Sequence, residues 1–359
     1  MMQPESQTIP LQEKQTAYDV MVIGAGQAGL ALGYYLHLQN KNFLLVDAAP
    51  RLGDSWRNRY DSLRLFTPAE YCHLPGWPLQ LPKGYYPSKN EIADYLEQYA
   101  AHFKLPVALQ QEVISLTKEE GIFHIQTTST SFLARQVVIA TGPFQAPFIP
   151  EYPTAPSADL VQIHSAHYRS PAQIPAGKVL VVGAGNSGAQ IAVELARTHE
   201  VHLSVKKPPR FSSLTKWGKS VFWWATKTKV LYASPSSFIG NRLRRDSDLI
   251  YGLELKELLQ NKKVSLRPAI TGFGQEHITF QDGTHTRFQS IVWATGFKPD
   301  YGWLQLPGAL GSNGQPVHQQ GISPVAGLFY LGLSWQRSRG SALLLGAGKD
   351  AQFIAEQLT

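Results

Sequence analysis

Tyr18 to Gly29 reads YDVMVIGAGQAG, and Lys178 to Gly188 reads KVLVVGAGNSG. In each stretch an apolar run of strand character enters a glycine turn, and an apolar helical pattern with few breakers leaves it. A single G-x-G-x-x-G says little. Two copies, each set between a strand pattern and a helix pattern, supply the context that dinucleotide binding requires. The first glycine (Gly24, Gly183) permits the tight turn and the second (Gly26, Gly185) lets backbone approach a pyrophosphate. The third (Gly29, Gly188) lets helix pack closely on strand. The helix start, Gln27-Ala28 in one copy and Asn186-Ser187 in the other, then offers N–H groups and a partial positive charge to phosphate. The expected fold is α/β, with two Rossmann-like dinucleotide-binding domains.

The strand downstream of each copy assigns the ligands. Asn42 to Val46 reads as a second strand ending in Asp47, where a carboxylate can accept hydrogen bonds from an unphosphorylated ribose, as in FAD. Val201 to Val205 is the corresponding strand of the second copy, and it ends in Lys206 and Lys207 with Arg210 close behind. Cations there attract a 2′-phosphate that an acid would repel, so the second site suits NADPH.

A second signal also occurs twice. Val137 to Gly142 (VVIATG) and Ile291 to Phe297 (IVWATGF) are apolar strands that stop at Ala140-Thr141-Gly142 and Ala294-Thr295-Gly296. Small residues at such a turn let backbone approach a bound cofactor. Beside two dinucleotide folds they suggest the two crossings between a flavin domain and a nicotinamide domain inserted into it. Pro143, Pro147, Pro150, Pro153 and Pro156 stiffen the connector between them. The expected limits are 1–157 and 290–359 for the FAD domain, with 1–17 flexible, and 158–289 for the NADPH domain.

Composition narrows the class. With 359 residues, 43% apolar and 16% charged, the chain is long enough for two buried cores, which excludes disorder and coiled coil. No stretch approaches the roughly 18 to 20 consecutive apolar residues of a membrane span, and residues 1–17 lack a secretory pattern, so a soluble cytoplasmic protein is expected. The only cysteine, Cys72, cannot form an internal disulfide or a paired redox centre, which argues against a flavin disulfide reductase. The 11 histidines show no metal-ligand spacing, so no metal is expected. The net charge of +7 is concentrated in residues 206–245. Within 211–260, Val221-Phe222-Trp223-Trp224, Val230-Leu231-Tyr232 and Phe238-Ile239 alternate with cations. That pattern suits amphipathic helices packed on the nicotinamide domain, or an aromatic lid over a substrate channel, with lipid contact left open.

Further stretches carry a resemblance to a known family. These are Gly53-Asp54-Ser55-Trp56, Tyr60 to Pro75 (YDSLRLFTPAEYCHLP), Tyr86 to Ala100 (YPSKNEIADYLEQYA), and His164-Ser165 with Tyr168. With the two fingerprints they resemble the class B flavin-dependent monooxygenases, and within them the YUCCA-like flavin-containing monooxygenases, over nearly the whole chain from Tyr18. The family's stretch F-x-G-x-x-x-H-x-x-x-(F/Y) is met at His164 and Tyr168 and departed from at Ala158 and Leu160. The resemblance implies that NADPH reduces FAD, that O2 adds at flavin C4a, and that the resulting hydroperoxide passes one oxygen to a small organic substrate bearing a soft sulfur or nitrogen atom or a carbonyl. It implies Phe66 or Thr67 near C4a, Trp56 covering the flavin, Asn186 between nicotinamide and flavin, Val113 among the cofactor contacts, and His164 as interdomain hinge or proton donor. The partners implied are O2 and that substrate, with no nucleic acid and with a homodimer left open. An NADPH oxidase or electron-transfer reductase and a non-catalytic NADPH sensor are the rival readings.

Overall fold

The computed structural model describes residues 16–245, 249–341 and 343–359; residues 1–15, most of the segment expected to be flexible, lie outside them. Strand β1 (Tyr18–Ile23) is buried on both faces, as an unbroken apolar run in a parallel sheet should be. Val20 and Val22 face a core shared with α1 (Gln27–Leu38) and the C-terminal helix Leu344–Ala355. Met21 and Ile23 face a second core beneath Tyr301, Leu304 and Ala309. A one-residue slip would exchange the two sets, so the register of β1 with β2 (Phe43–Val46) and with strand Ser131–Ile139 is fixed by side-chain shape. The parallel part of this sheet runs Val107–Ala108, β2, β1, Ser131–Ile139, Leu328–Tyr330. An antiparallel extension, Ile122–Thr127 and Val113–Glu119, continues from the start of Ser131–Ile139.

The second unit repeats the construction. In strand Lys178–Val182, Val179 and Val181 enter one core while Leu180 and Val182 enter another. Its parallel sheet runs Val264–Arg267, Glu200–Ser204, Lys178–Val182, Ser290–Trp293, Val161–His164. Residues 290–293, expected in the second part of the FAD domain, therefore hydrogen-bond into the second sheet. All four are buried there, and both edges of their backbone are paired, so the chain returns to the first unit only after Trp293.

The two connectors cross as a ribbon. Ala146–Pro147 pairs antiparallel with Phe297–Lys298, and the Phe148 N–H donates to the Gly296 carbonyl at 3.0 Å. Helix Lys89–His102 begins with a capping box, in which Ser88 accepts from the Glu91 N–H and Glu91 accepts from the Ser88 N–H. Lys89 comes directly after the cap, although a cation at a helix start opposes the helix dipole. Its buried ammonium donates to the carbonyls of Arg57 and Arg59 and to Asp61 Oδ1, and so holds the 57–61 loop in place. The aromatic and basic segment forms a hairpin (Thr215–Lys216 with Lys219–Ser220), a helix Val221–Lys227, a turn Val230–Tyr232 and a helix Phe238–Arg245. Among the described residues, no helix is long and apolar enough to cross a membrane.

Candidate active site

Each fingerprint closes on the opposing Ala-Thr-Gly turn. Gly24 has φ +106°, and a Cβ there would lie 2.6 Å from the Ala140 carbonyl oxygen; Gly183 has φ +101°, with the Ala294 carbonyl oxygen at 2.5 Å. The two repeated signals are thus two halves of one device, since the first glycine of each fingerprint is what lets the turn approach. Gly29 and Gly188 lie against the carbonyls of Gly24 and Gly183, which a Cβ would overlap. Gly26 and Gly185 differ. Their backbones, at φ −75° and −74°, suit any residue, and nothing lies within 4 Å of a Cβ built on either. The protein itself does not require glycine at these two places. The open space above each helix start fits a pyrophosphate, so the residues present suit a dinucleotide in each unit.

Asp47 stands at the end of β2 and fastens the first turn. Its Oδ2 accepts the Ala25 N–H at 2.7 Å and its Oδ1 the Ala49 N–H at 2.9 Å, which leaves lone pairs on both oxygens for a ribose. The Trp56 indole N–H donates to Gln27 Oε1 at 3.2 Å, tying the 53–56 turn to the start of α1. Ala28 is buried, and a Cβ on Gly332 would come within 2.9 Å of its own, so Ala28 serves close packing. Val113 packs into the same core as Val46 and Ile139, at an irregularity in its strand. Thr141 accepts from the Gln145 amide at 2.8 Å. Thr295 donates to the Phe148 carbonyl.

Where the two units meet, the 60–64 loop rests on helix Asn186–Leu195. The Tyr60 hydroxyl donates to Gln190 Oε1 at 3.0 Å and is also hydrogen-bonded to Ser187, while Gln190 donates to the Arg64 carbonyl at 3.0 Å. Burial pushes the Tyr60 phenol up to about 12, so it stays a neutral donor. Asn186 turns toward strand Leu249–Tyr251, where it donates to the Leu249 carbonyl at 3.2 Å and accepts the Tyr251 N–H at 2.9 Å. Tyr251 in turn stacks on Phe66 at 4.7 Å, and Phe66 stacks on Phe222 at 6.0 Å. Phe222 is the buried residue of helix Val221–Lys227. The backbone of Leu231 and Ala233 also binds the loop ahead of the C-terminal helix of the first unit, accepting from the Gly340 and Arg339 N–H groups. The segment is thereby fastened to the first unit at two points. Thr67, beside Phe66, is buried with its carbonyl facing the Cys72 thiol at 3.2 Å. Lys206, Lys207 and Arg210 are exposed beyond strand Glu200–Ser204.

His164 has both ring nitrogens hydrogen-bonded. Its Nδ1 accepts the Ala166 N–H at 3.1 Å, so its Nε2 carries the proton and donates to the Gly296 carbonyl at 3.0 Å. With both nitrogens engaged, the ring ties strand Val161–His164 to the Ala-Thr-Gly turn. Beside it, the guanidinium of Arg59 lies 5.4 Å from the ring centre of Phe144 and 5.6 Å from that of Phe297, with no acid partner among the described residues. Lys89, Arg59, Tyr60 and Tyr251 do not stand out in the sequence as site residues. A basic residue at the first position of a capped helix is the one signal that points to Lys89.

Burial holds the His164 pKa below the ordinary imidazole value, near 6.5. Above that pH the ring is neutral in folded and unfolded chains alike. As pH falls through it, the unfolded chain binds a proton that the folded chain refuses, and stability is lost. His164→Gln should therefore flatten the decline in denaturant midpoint below about pH 6.5. An unchanged slope would mean that His164 titrates normally in the fold.

Comparison with known proteins places this architecture. The family model described as pyridine nucleotide-disulphide oxidoreductase matches residues 21–229. An uncharacterised CzcO-like oxidoreductase of Geobacillus kaustophilus is 48% identical, covering 96% of this chain and 99% of the relative. The chain belongs to this family, on its flavin-monooxygenase branch. It is 28% identical to the probable indole-3-pyruvate monooxygenase YUCCA1 of Arabidopsis thaliana over 99% of this chain and 93% of that one. The solved flavin-containing monooxygenase of Stenotrophomonas maltophilia superposes with a TM-score of 0.81 at 29% identity, covering 95% and 98% of the two chains. This flavin-dependent oxidoreductase has no cysteine pair for the disulphide chemistry in the family's description. Cys72 is fully buried, and burial pushes its thiol up to about 12.

Proposed function

We propose that this protein is an NADPH-dependent FAD monooxygenase that places one atom of O2 on a small organic substrate with a soft sulfur or nitrogen atom or a carbonyl. The observation that carries this reading is the pair of open glycine cradles, at Gly26 and Gly185, one in each of two units joined by a stack of aromatic rings. The flavin, reduced by NADPH, supplies the oxygen-activating chemistry when bound. The chain's part is to hold, orient and keep dry. Gly24 to Gly29, Asp47 and the Ala140–Gly142 turn would hold FAD. Gly183 to Gly188 would take the nicotinamide pyrophosphate, with Lys206, Lys207 and Arg210 at the 2′-phosphate. Asn186 is a positioning residue, because it fixes the strand that presents Tyr251 to Phe66. Phe66, Phe222 and Tyr251 form an apolar wall, which suits a site whose chemistry is lost to water.

The test is turnover under heavy-isotope O2 with a panel of thioethers, amines and ketones. One labelled atom in the product and one in water is the expected result, and quantitative release of hydrogen peroxide with every substrate would make the protein an NADPH oxidase. The same reading assigns the helix Val221–Lys227 to access. Trp223→Ala and Trp224→Ala should raise KM and the fraction of NADPH oxidised without product by several-fold, while the rate of flavin reduction by NADPH stays near that of the wild type. Collapse of flavin reduction with unchanged peroxide release would instead place these tryptophans in the nicotinamide site or the core.

A further inference from the structure

Residues 211–245 contain no aspartate or glutamate. Lys216, Lys219, Lys227, Arg242, Arg244 and Arg245 lie in this stretch, and none is ion-paired among the described residues. Three of the apolar side chains among them, Trp217, Phe238 and Ile239, are exposed. Trp217 stands at the tip of the hairpin, 76% exposed, in a left-handed conformation at φ 50° that is uncommon for a bulky residue. Its ring meets Trp224 edge-on at 5.3 Å, and Trp224 meets Trp223 at 4.7 Å. Three ammonium groups lie over this patch: Lys216 is 4.3 Å from the ring centre of Trp217, and Lys219 and Lys227 are 5.9 and 5.7 Å from that of Trp223. Helix Phe238–Arg245 exposes Phe238 (83%) and Ile239 (50%) in its first turn and carries three arginines in its last.

Indoles ringed by ammonium groups are suited to a boundary between apolar and wet phases, because each such side chain has an apolar body and a polar end. We infer that residues 215–245 dock the protein on the surface of an anionic phospholipid bilayer, with Trp217 and Phe238 among the headgroups and the cations on lipid phosphates. A solvated basic face would not need these exposed apolar side chains. The absence of a spanning helix among the described residues fits contact by lying on the surface. Phe222 and Leu231 are meanwhile committed to the first unit, so the outward side of the segment remains available. This inference stands independently of the oxygenation reading.

The FAD-loaded protein would be sedimented with vesicles of phosphatidylcholine alone and of phosphatidylcholine with phosphatidylglycerol. We expect affinity at least about tenfold higher for the anionic vesicles, falling as salt rises. Trp217→Ser with Phe238→Ser, and separately Arg244→Glu with Arg245→Glu, should each weaken it by about tenfold or more, with flavin reduction by NADPH unchanged. Lys256→Glu, an exposed charge change on helix Glu254–Gln260, should have little effect. Equal affinity for both vesicle types, no binding, or binding indifferent to these variants overturns the inference. So does binding of a single-stranded oligonucleotide in preference to the anionic vesicles.

Discussion

Gly26→Val should purify folded but nearly free of flavin. Nothing in the protein lies within 4 Å of a Cβ at this position, and its φ of −75° is open to any residue, so the substitution leaves the fold intact. The added side chain would occupy the space above the start of α1 where the pyrophosphate must come close to backbone. Flavin absorbance of the purified protein, with circular dichroism as the check on folding, reads the result. Gly24→Ala supplies the contrast: φ +106° and the Ala140 carbonyl 2.6 Å from the new Cβ predict a misfolded protein. A yellow, fully loaded Gly26→Val would mean that the first cradle does not hold the flavin pyrophosphate.

Lys206→Ala and Arg210→Ala should each lower affinity for NADPH by about ten- to hundredfold, corresponding to about 1.5 to 3 kcal/mol for a charge-assisted hydrogen bond, and leave NADH nearly untouched. Both side chains are exposed beyond strand Glu200–Ser204: Lys206 follows that strand much as Asp47 follows β2 in the other unit, and Arg210 opens the next strand, Arg210–Ser212. The backbone at Arg210 pairs with Leu249 and keeps its strand when the side chain is cut to alanine. Dissociation constants for both nicotinamides decide the matter. Equal losses for NADH and NADPH would mean that these residues support structure and do not read the phosphate.

Legibility in the sequence depends on distance along the chain. The glycine turns, Asp47 and the Ala-Thr-Gly endings are local patterns, each complete within one strand-turn-helix unit, and the two α/β units can be read from them. The flavin-monooxygenase branch is legible because short motifs such as Gly53 to Trp56 and Tyr60 to Pro75 are spread across nearly the whole chain. What escapes depends on remote partners. The Asn186 amide is used up by backbone 63 and 65 residues away, which no spacing rule reveals. Phe66 meets its neighbours Phe222 and Tyr251 only after the second unit has folded against the first. Residues 290–293 are misplaced by sequence reasoning because an apolar strand ending in Ala-Thr-Gly is equally suited to either sheet.

The interrupted first unit also sets an order of assembly. Its strand Leu328–Tyr330 and its closing helix Leu344–Ala355 leave the ribosome long after β1 and α1, at roughly 5 to 20 residues per second. For roughly 10 to 40 seconds the nascent first unit must wait with one side of Val137–Ile139 unpaired, and for roughly 15 to 60 seconds with the face of α1 that later meets the closing helix in water. The second unit, by contrast, is continuous from Val161 to Trp293 and is complete as soon as it emerges. It should therefore mature first, and pulse-labelled hydrogen exchange during refolding should protect Val179 to Val182 ahead of Val20 to Ile23. Simultaneous protection of both strands would show that the second unit does not fold on its own. The insertion of the second unit thus makes the first unit the late and aggregation-prone partner in folding.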